Sequence, residues 1–235
     1  MSSTPRAPPF VVAVLCQKGG VGKTTLTLNL AACAHLSGLR TLAIDCDRQG
    51  SLFDWYSARS DGSRLAGLTV IRADRALTLP KFRELTSGYE VALVDGPPRL
   101  GDVTRAAAVA ADVVLIPARP GPFDTWAASE TLGLLDGADE IREQLGRSRV
   151  RRVIIINGAP PRARTVAHTL DALRDSAELA PGVIGNRVVF SSSAATGESV
   201  FTEAPAAPAA AEIASLWAVL SAPFPLSQEI HSNVP

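Results

Sequence analysis

The sequence predicts an α/β fold, with a doubly wound and mostly parallel sheet that carries helices on both of its faces. Three observations lead to this class. Short runs rich in Val, Ile, Leu and Ala alternate along the chain with segments whose apolar residues recur at helical spacing. Most of these runs are apolar at nearly every position, which is typical of parallel strands buried on both faces. With 235 residues, the chain is long enough to bury one large core.

The elements follow one another in a regular order. Strands are expected at residues 10–15, 40–45, 68–72, 91–95, 113–116 and 152–156. Helices are expected to begin after residue 24 and near Ser51, and to cover 103–110, 125–145 and 209–220. We expect a single domain at residues 10–222, a flexible tail at 1–9 and an irregular tail at 223–235.

A glycine-rich loop follows the first predicted strand. Residues 16–25 end in Gly22-Lys23-Thr24, which is the close of a phosphate-binding loop, or P-loop. Glycines let backbone N–H groups approach phosphates, and the N-terminus of the following helix favours an anion. Lys23 is expected to contact the β- and γ-phosphates, and the Thr24 hydroxyl to bind Mg²⁺. The residues expected to bind the nucleotide in this loop are Lys18, Gly19, Gly20, Val21, Gly22, Lys23, Thr24 and Thr25.

Two features set this loop apart from the standard pattern. Gln17 stands where that pattern has glycine, and Lys18 adds a second lysine five residues before Lys23. One nucleotide rarely needs two lysines from one loop, so the second indicates a charge that acts in trans, across a dimer. We therefore expect both Lys18 and Lys23 to be catalytic, through stabilisation of charge on the phosphates.

Three aspartates come at the ends of predicted strands. Asp45 and Asp47 follow the second strand, and Asp95 ends the fourth. The carboxyl ends of parallel strands form the edge of the sheet where ligands bind. We expect the metal site to consist of Thr24, of Asp95, which usually holds Mg²⁺ through water, and of Asp45 in the second shell of the ion. Asp47 is expected to orient the attacking water as a catalytic residue. Alternatively, one aspartate of the first pair only caps the helix that begins near Ser51.

The composition limits the class of partner. The chain has 23 Lys and Arg against 23 Asp and Glu, so the net charge exerts no general attraction towards DNA or acidic membranes. Its three cysteines lack CxxC spacing, which favours a reducing cytoplasm and argues against disulfides or an iron–sulfur cluster. No run is long and apolar enough to span a bilayer. Residues 223–235 contain no Lys or Arg, which argues against a membrane-binding tail.

These motifs together resemble the ParA/MinD family of P-loop ATPases, which have a variant Walker A loop. The similarity lies in the 18–25 loop, the Asp45-x-Asp47-x-Gln49-Gly50 segment and the strand end at 94–98. The stretch at 116–124 is similar to the proline-rich segment of the small, ParF-like members. The resemblance implies binding of ATP/ADP and Mg²⁺, and an ATP-dependent homodimer in which Lys18 reaches the phosphates of its partner. One departure is Arg48, where the family usually has proline.

The resemblance also suggests contacts outside the P-loop. It implies adenine contacts from Asn157 and Pro205, although an asparagine in this position equally suits a turn. It implies non-specific DNA binding by Arg162, Arg164 and Arg187, where the alternative is a solvated face. The cluster of arginines at 147–152 is instead expected to mark a helix end followed by a strand.

Four hypotheses follow for function, of which the last is disfavoured. The first is a ParA-type ATPase in the cytoplasm and on the nucleoid, which partitions plasmid or chromosomal DNA. A centromere-binding adaptor protein of ParB or ParG type would stimulate its slow hydrolysis. The alternatives are a related ATPase that positions a cargo other than DNA, and a variant P-loop ligase of the dethiobiotin synthetase type. A membrane-bound MinD-like regulator is disfavoured by the composition of residues 223–235.

Overall fold

The computed structural model describes residues 8–73, 75, 77–99, 101–160, 164–203, 207–222 and 224. Within them, seven strands form one sheet in the order β3-β2-β4-β1-β5-β6-β7, and every pairing among them is parallel. The strands are β1 Phe10–Val14, β2 Thr41–Asp45, β3 Thr69–Arg72, β4 Val91–Asp95, β5 Val113–Ala118, β6 Arg151–Ala159 and β7 Glu178–Gly185.

Eight helices connect or follow these strands in the described part of the chain. They are α1 Lys23–Leu36, α2 Ser51–Ser57, α3 Leu79–Thr86, α4 Asp102–Ala110, α5 Pro122–Gln144, α6 Arg164–Leu173, α7 Val189–Ala195 and α8 Ala207–Ser221. Buried side chains of α1, α2, α7 and α8 form one core with one face of the sheet. Those of α3, α4, α5 and α6 form a second core with the other face. The predicted doubly wound α/β architecture is therefore confirmed.

The central strands explain why the sequence pattern was informative. All five residues of β1, β2 and β4 are buried, because helices cover both faces of the sheet. The six predicted strands are present, with ends that differ by up to three residues. The seventh, β7, was missed because it is an edge strand with an irregular burial pattern, interrupted by Pro181 and Gly182.

The strand order places the functional segments together. β1 lies between β4 and β5. The chain places β2, β3 and β4 on one side of β1 and then β5, β6 and β7 on the other, so the strand order switches beside β1. A ligand site in this type of sheet lies beside the carboxyl ends of the strands at such a point. Asp45 of β2 is paired in register with Asp95 of β4, and Asp95 is paired with Val14 at the end of β1. Both carboxylates therefore lie at the edge from which the glycine-rich loop emerges.

The predictions for the ends of the chain lie largely outside the described residues. This applies to residues 1–7 of the expected N-terminal tail and, apart from Phe224, to the expected C-terminal tail at 223–235. Phe224 lies beside Phe10 of β1, with 3.9 Å between their ring centroids. In the parts of the chain that the structure covers, no helix is long and apolar enough to cross a membrane.

Candidate functional site

The glycine-rich loop joins β1 to α1 at the floor of a cleft. Gly20 and Gly22 have φ values of 73° and 92°, in the left-handed region that favours glycine. A Cβ at Gly22 would also clash with Nδ2 of Asn157. α1 starts at Lys23, directly after this turn, so the N-terminus of a 14-residue helix opens towards the cleft. The loop therefore has the backbone shape that a phosphate requires.

The two lysines of the loop have different surroundings. Lys23 is buried, its Nζ donates a hydrogen bond to the carbonyl of Lys18 at 3.0 Å, and burial lowers its pKa. Lys18 is partly exposed, and its Nζ lies 2.7 Å from Oδ2 of Asp124 at the start of α5. Asp124 is itself buried and also accepts a hydrogen bond from the backbone of Arg119. The structure thus ties Lys18 to α5 and leaves Lys23 at the base of the loop.

Thr24 and Asp95 form the second part of the site. The Thr24 hydroxyl donates to Oδ2 of Asp95 at 2.7 Å, whereas Oδ1 of Asp95 is buried without a hydrogen-bond partner. Burial, with a further contribution from the neighbouring charge of Asp45, raises the pKa of Asp95 to about 7, although the hydrogen bond from Thr24 opposes this. A buried oxygen without a partner beside a hydroxyl is a suitable position for a cation.

Asp45 and Asp47 are held by backbone N–H groups. Asp45 accepts hydrogen bonds from the backbone of Asp47 and of Phe53, both at 3.0 Å, and burial raises its pKa. The contact with Phe53 gives one backbone N–H group in the first turn of α2 an acceptor, which is the effect that the capping alternative expected of this pair. The expected role of Asp45 at Mg²⁺ stays a prediction. Asp47 accepts from the backbone of Gln49 at 3.1 Å and lines the cleft. Its expected role in orienting water stays a prediction.

The cleft has a volume of about 850 Å³, which is within the usual range for a small-molecule site. One wall is the glycine-rich loop, and the opposite side is formed by α2, by the segment after β7 and by α7. The residues outside the loop that line it include Gln49, Asp54, Trp55, Pro98, Arg119, Asn157, Asn186, Arg187 and Phe190. The cleft is therefore large enough for a nucleotide whose phosphates lie on the loop.

Asn157 supports the loop from the end of β6. Its Nδ2 donates to the carbonyl of Val21 at 2.6 Å, and the residue is nearly fully buried. The side chain thus fixes the shape of the loop, and the expected contact with adenine stays a prediction. Pro205, the other residue expected near the base, lies outside the described residues.

The arginines expected to bind DNA have varied positions. Arg162 lies outside the described residues, and Arg164 begins α6, with its side chain also outside the description. Arg187 lines the cleft, where its guanidinium forms an ion pair with Glu212 of α8. Its expected contact with DNA stays a prediction, and any such contact would compete with Glu212.

The arginines at residues 147–152 lie between the end of α5 and the first residues of β6, as the sequence indicated. Arg147 donates to the carbonyls of Val109 and Ala110 at the end of α4. Arg152 pairs with the buried carboxylate of Asp139 in α5.

Sequence reasoning missed the partner of Lys18. Asp124 belongs to the proline-rich stretch that the sequence singled out, but it lies 106 residues from Lys18. No local spacing connects two residues so far apart, and only the packing of α5 against the loop brings them together. Arg119 and the residues of α7 that line the cleft were missed for the same reason.

The site offers Mg²⁺ a small number of oxygen ligands from the protein. Among the described residues, no group of three His, Cys, Asp or Glu side chains is placed to hold a metal ion. Mg²⁺ in phosphate-transfer sites is usually bound by one or two protein oxygens, while waters and phosphates complete its shell. Thr24 and the free oxygen of Asp95 match that donor set.

Comparisons with known proteins agree with this geometry. The family model described as the CobQ/CobB/MinD/ParA nucleotide binding domain matches residues 12–200. The chain is 28% identical over 199 residues to the maintenance of carboxysome distribution protein A of Halothiobacillus neapolitanus, covering 82% of this chain and 87% of that protein. It is 31% identical over 178 residues to the chromosome-partitioning ATPase Soj of Thermus thermophilus, covering 64% of this chain and 70% of Soj.

A solved structure shows the same fold. The ATP complex of Cyanothece McdA superposes with a TM-score of 0.73 at 15% identity, and the match covers 95% of this chain and 99% of that one. At this identity the likeness concerns the fold alone. Because the family model spans most of the sequence and Soj is related over more than two thirds of its own length, the chain belongs to the ParA/MinD family of P-loop ATPases.

Proposed function

We propose that this chain is a positioning ATPase that uses ATP and Mg²⁺ to distribute a large cargo other than DNA. The single observation that supports this most strongly is Lys18. It stands at the mouth of the loop, partly exposed, and is tied to Asp124 at 2.7 Å instead of turning into its own cleft. A lysine on the surface beside a phosphate site is suited to act on a second subunit, so the nucleotide would control dimerisation.

The chain's own residues bind the nucleotide as follows. Backbone N–H groups of Gly19–Thr24 and the N-terminus of α1 receive the phosphates. Lys23 exchanges its hydrogen bond to the carbonyl of Lys18 for the β- and γ-phosphates. Thr24 and the ionised carboxylate of Asp95, whose Oδ1 has no hydrogen-bond partner, would hold the cation. Bound Mg²⁺ would supply charge neutralisation on the phosphates.

Hydrolysis would depend on the residues at the mouth of the cleft. Asp47 orients a water molecule, while Lys18 of the second subunit stabilises charge that develops on the γ-phosphate. Asp45 acts indirectly, because it holds the backbone of Asp47 and caps α2. A site that needs a residue from a second subunit is slow in the monomer, and a cargo-bound partner protein would accelerate the dimer.

The nature of the cargo rests on relatives. The protein from Halothiobacillus neapolitanus is named for carboxysome distribution, and it covers more of this chain than Soj does. We therefore favour a cargo of that kind over the partition of DNA. DNA partition is the second candidate, favoured by the 31% identity to Soj. In either case non-specific DNA would serve as the surface on which the dimer is retained.

The first experiment is sizing by light scattering with ADP and with ATP. We expect the wild type to dimerise with ATP alone, Lys18→Ala to stay monomeric, and Lys81→Ala to behave as the wild type. Lys81 is the matched control because it is an exposed lysine whose partner is Glu84 on the same helix. A wild type that stays monomeric with ATP, or a Lys18→Ala variant that dimerises normally, would contradict the mechanism. ATP consumption that requires a small organic substrate would favour the ligase.

The cargo is tested in cells. We expect a fluorescent fusion to co-localise with evenly spaced protein bodies, and deletion of the gene to cluster those bodies without changing plasmid retention. Loss of plasmid or chromosome inheritance with an unchanged distribution of protein bodies would instead support DNA partition.

A further inference from the structure

Two large aromatic side chains are exposed side by side at the start of α5. Phe123 is 68% and Trp126 is 63% exposed, and their rings pack edge to face with 5.5 Å between centroids. Among the described residues, only two other large hydrophobic side chains, Leu145 and Val188, are exposed. A contiguous aromatic patch on a surface usually marks an interaction site.

The aromatic pair borders the P-loop. Ala127, the residue after Trp126, packs against Cys16 and Val21 of the loop region. Asp124, the residue after Phe123, holds Lys18. The first turns of α5 thus present one side to the phosphate loop, while the adjacent side carries the two aromatic rings.

We infer that Phe123 and Trp126 form an apolar contact with a second copy of this chain in the ATP-bound dimer. The inference rests on the proposed function, in which Lys18 of each subunit enters the site of the other. Because Asp124 holds Lys18 and lies between the two aromatic residues in the chain, their patch is continuous with the surface that such a dimer must cover. A twofold contact brings the same patch from both subunits into one interface.

The size of the aromatic patch supports a second copy of this chain as the partner. An aromatic side chain buries 150–250 Å², so the exposed parts of the pair amount to roughly 200–300 Å² per subunit. Two copies would contribute a substantial share of a standard interface of about 1,200–2,000 Å². The contact would also link dimer formation to the placement of Lys18. Asp124, which holds Lys18, lies between the two aromatic residues in the chain, so burial of the aromatic patch in the interface would bring Lys18 close to the partner.

The chain contains its own reporter for this contact. Of its three tryptophans, Trp55 and Trp217 are each only 4% exposed, so Trp126 is the one that an aqueous quencher reaches. We would measure acrylamide quenching of tryptophan emission in the full chain with ADP and with a slowly hydrolysed ATP analogue, while light scattering reports the mass. The expected result is a loss of quenching and a blue shift that follow dimer formation. Trp126→Phe should remove this change and still dimerise.

Affinity provides a second measurement. Phe123→Ala and Trp126→Ala should each weaken the ATP-dependent dimer by roughly tenfold or more, while nucleotide binding to the monomer stays unchanged. Leu145→Ala is the matched control, because Leu145 is 52% exposed and follows the other end of the same helix. It should leave the dimer unchanged.

The outcomes separate the two proposals. An ATP-bound dimer in which Trp126 remains as accessible as with ADP, or whose affinity is unaffected by both alanine variants, overturns this contact and leaves the proposed function intact. The pair would then be a surface for another protein. A chain that stays monomeric with ATP overturns both the contact and the proposed function.

Discussion

Replacement of Asp95 by asparagine tests the electrostatics of the site most directly. The carboxyl is 1% exposed, and burial raises its pKa to about 7 from an ordinary value of 3.8. The unfolded chain therefore releases this proton near pH 4, whereas the folded chain keeps it until near pH 7. In the absence of Mg²⁺ and nucleotide, this one group makes the folded state less stable as the pH rises between those values, and its contribution is constant above them.

The magnitude follows from that difference in pKa. A difference of about three, at 1.36 kcal/mol each, corresponds to about 4 kcal/mol at pH 8.5 and about 2 kcal/mol at pH 5. A neutral amide in place of the Asp95 carboxyl would carry no such cost, and its oxygen can still accept the hydrogen bond from Thr24. We expect Asp95→Asn to be more stable than the wild type, by more at pH 8.5 than at pH 5.

Urea unfolding with EDTA at both pH values measures this effect. The matched control is Asp61→Asn, the same chemical change at an exposed carboxyl, which should alter the free energy of unfolding by less than about 0.5 kcal/mol. With ATP and Mg²⁺ added, the order should reverse, because Asp95→Asn lacks the charged oxygen that would hold the cation. A variant that is less stable than the wild type at pH 8.5 without Mg²⁺ would refute the reasoning.

Three further changes test how the structure supports the site. Asn157→Ala should lower the free energy of unfolding by about 1–3 kcal/mol and weaken nucleotide binding, because a buried loop carbonyl loses its donor. Gly197→Ala should cost at least about 1–2 kcal/mol, since φ is +72° and the new Cβ would clash with the backbone that follows α2. Gly137→Ala in α5 meets nothing within 4 Å and should instead stabilise by about 0.5–1 kcal/mol. Arg142→Met should cost roughly 3 kcal/mol, because the buried arginine donates to three carbonyls and only that of Val109 keeps a second arginine donor, Arg147, whereas exposed Arg149→Met should be nearly neutral.

Thermal unfolding and calorimetric titration with nucleotide check these three. Nucleotide affinity that is unchanged in Asn157→Ala would show that the side chain does not shape the loop. A stable Gly197→Ala protein would mean that the segment moves freely away from α2. Equal stability of the two arginine variants would show that the carbonyls at the end of α4 find other donors.

The strands that the sequence predicted best are the central ones. β1, β2 and β4 are covered on both faces, so most of their positions are apolar and the sequence shows each strand as a nearly continuous apolar run. β7 lies at the edge and alternates irregularly between exposed and buried positions, so its composition resembles that of a loop. The other edge strand, β3, was predicted, so the position of β7 at the edge made it hard to recognise only in combination with this irregular pattern.

The residues of the candidate site also differ in how far the sequence predicted them. The phosphate binding proposed for Lys23 and Thr24 depends on local backbone, because one loop and one helix N-terminus would provide nearly all of it, and a short motif is enough to recognise such a local feature. The identity of Asp45 and Asp95 as candidates followed from their positions at strand ends. The surroundings of these two carboxylates could not be predicted from the sequence. The hydrogen bond from Phe53 to Asp45 and the free oxygen of Asp95 both depend on neighbours from other elements.

The sequence by itself thus determined the fold class, the phosphate loop and the kinship with ParA/MinD ATPases, since each depends on local pattern. Only the tertiary structure decided that Asp124 holds Lys18, that Asn157 supports the loop from β6, and that two aromatic rings lie exposed beside them. The first two of these features join residues more than 100 positions apart, and it is the packing of helices against a sheet, not the spacing of residues along a chain, that brings such partners together.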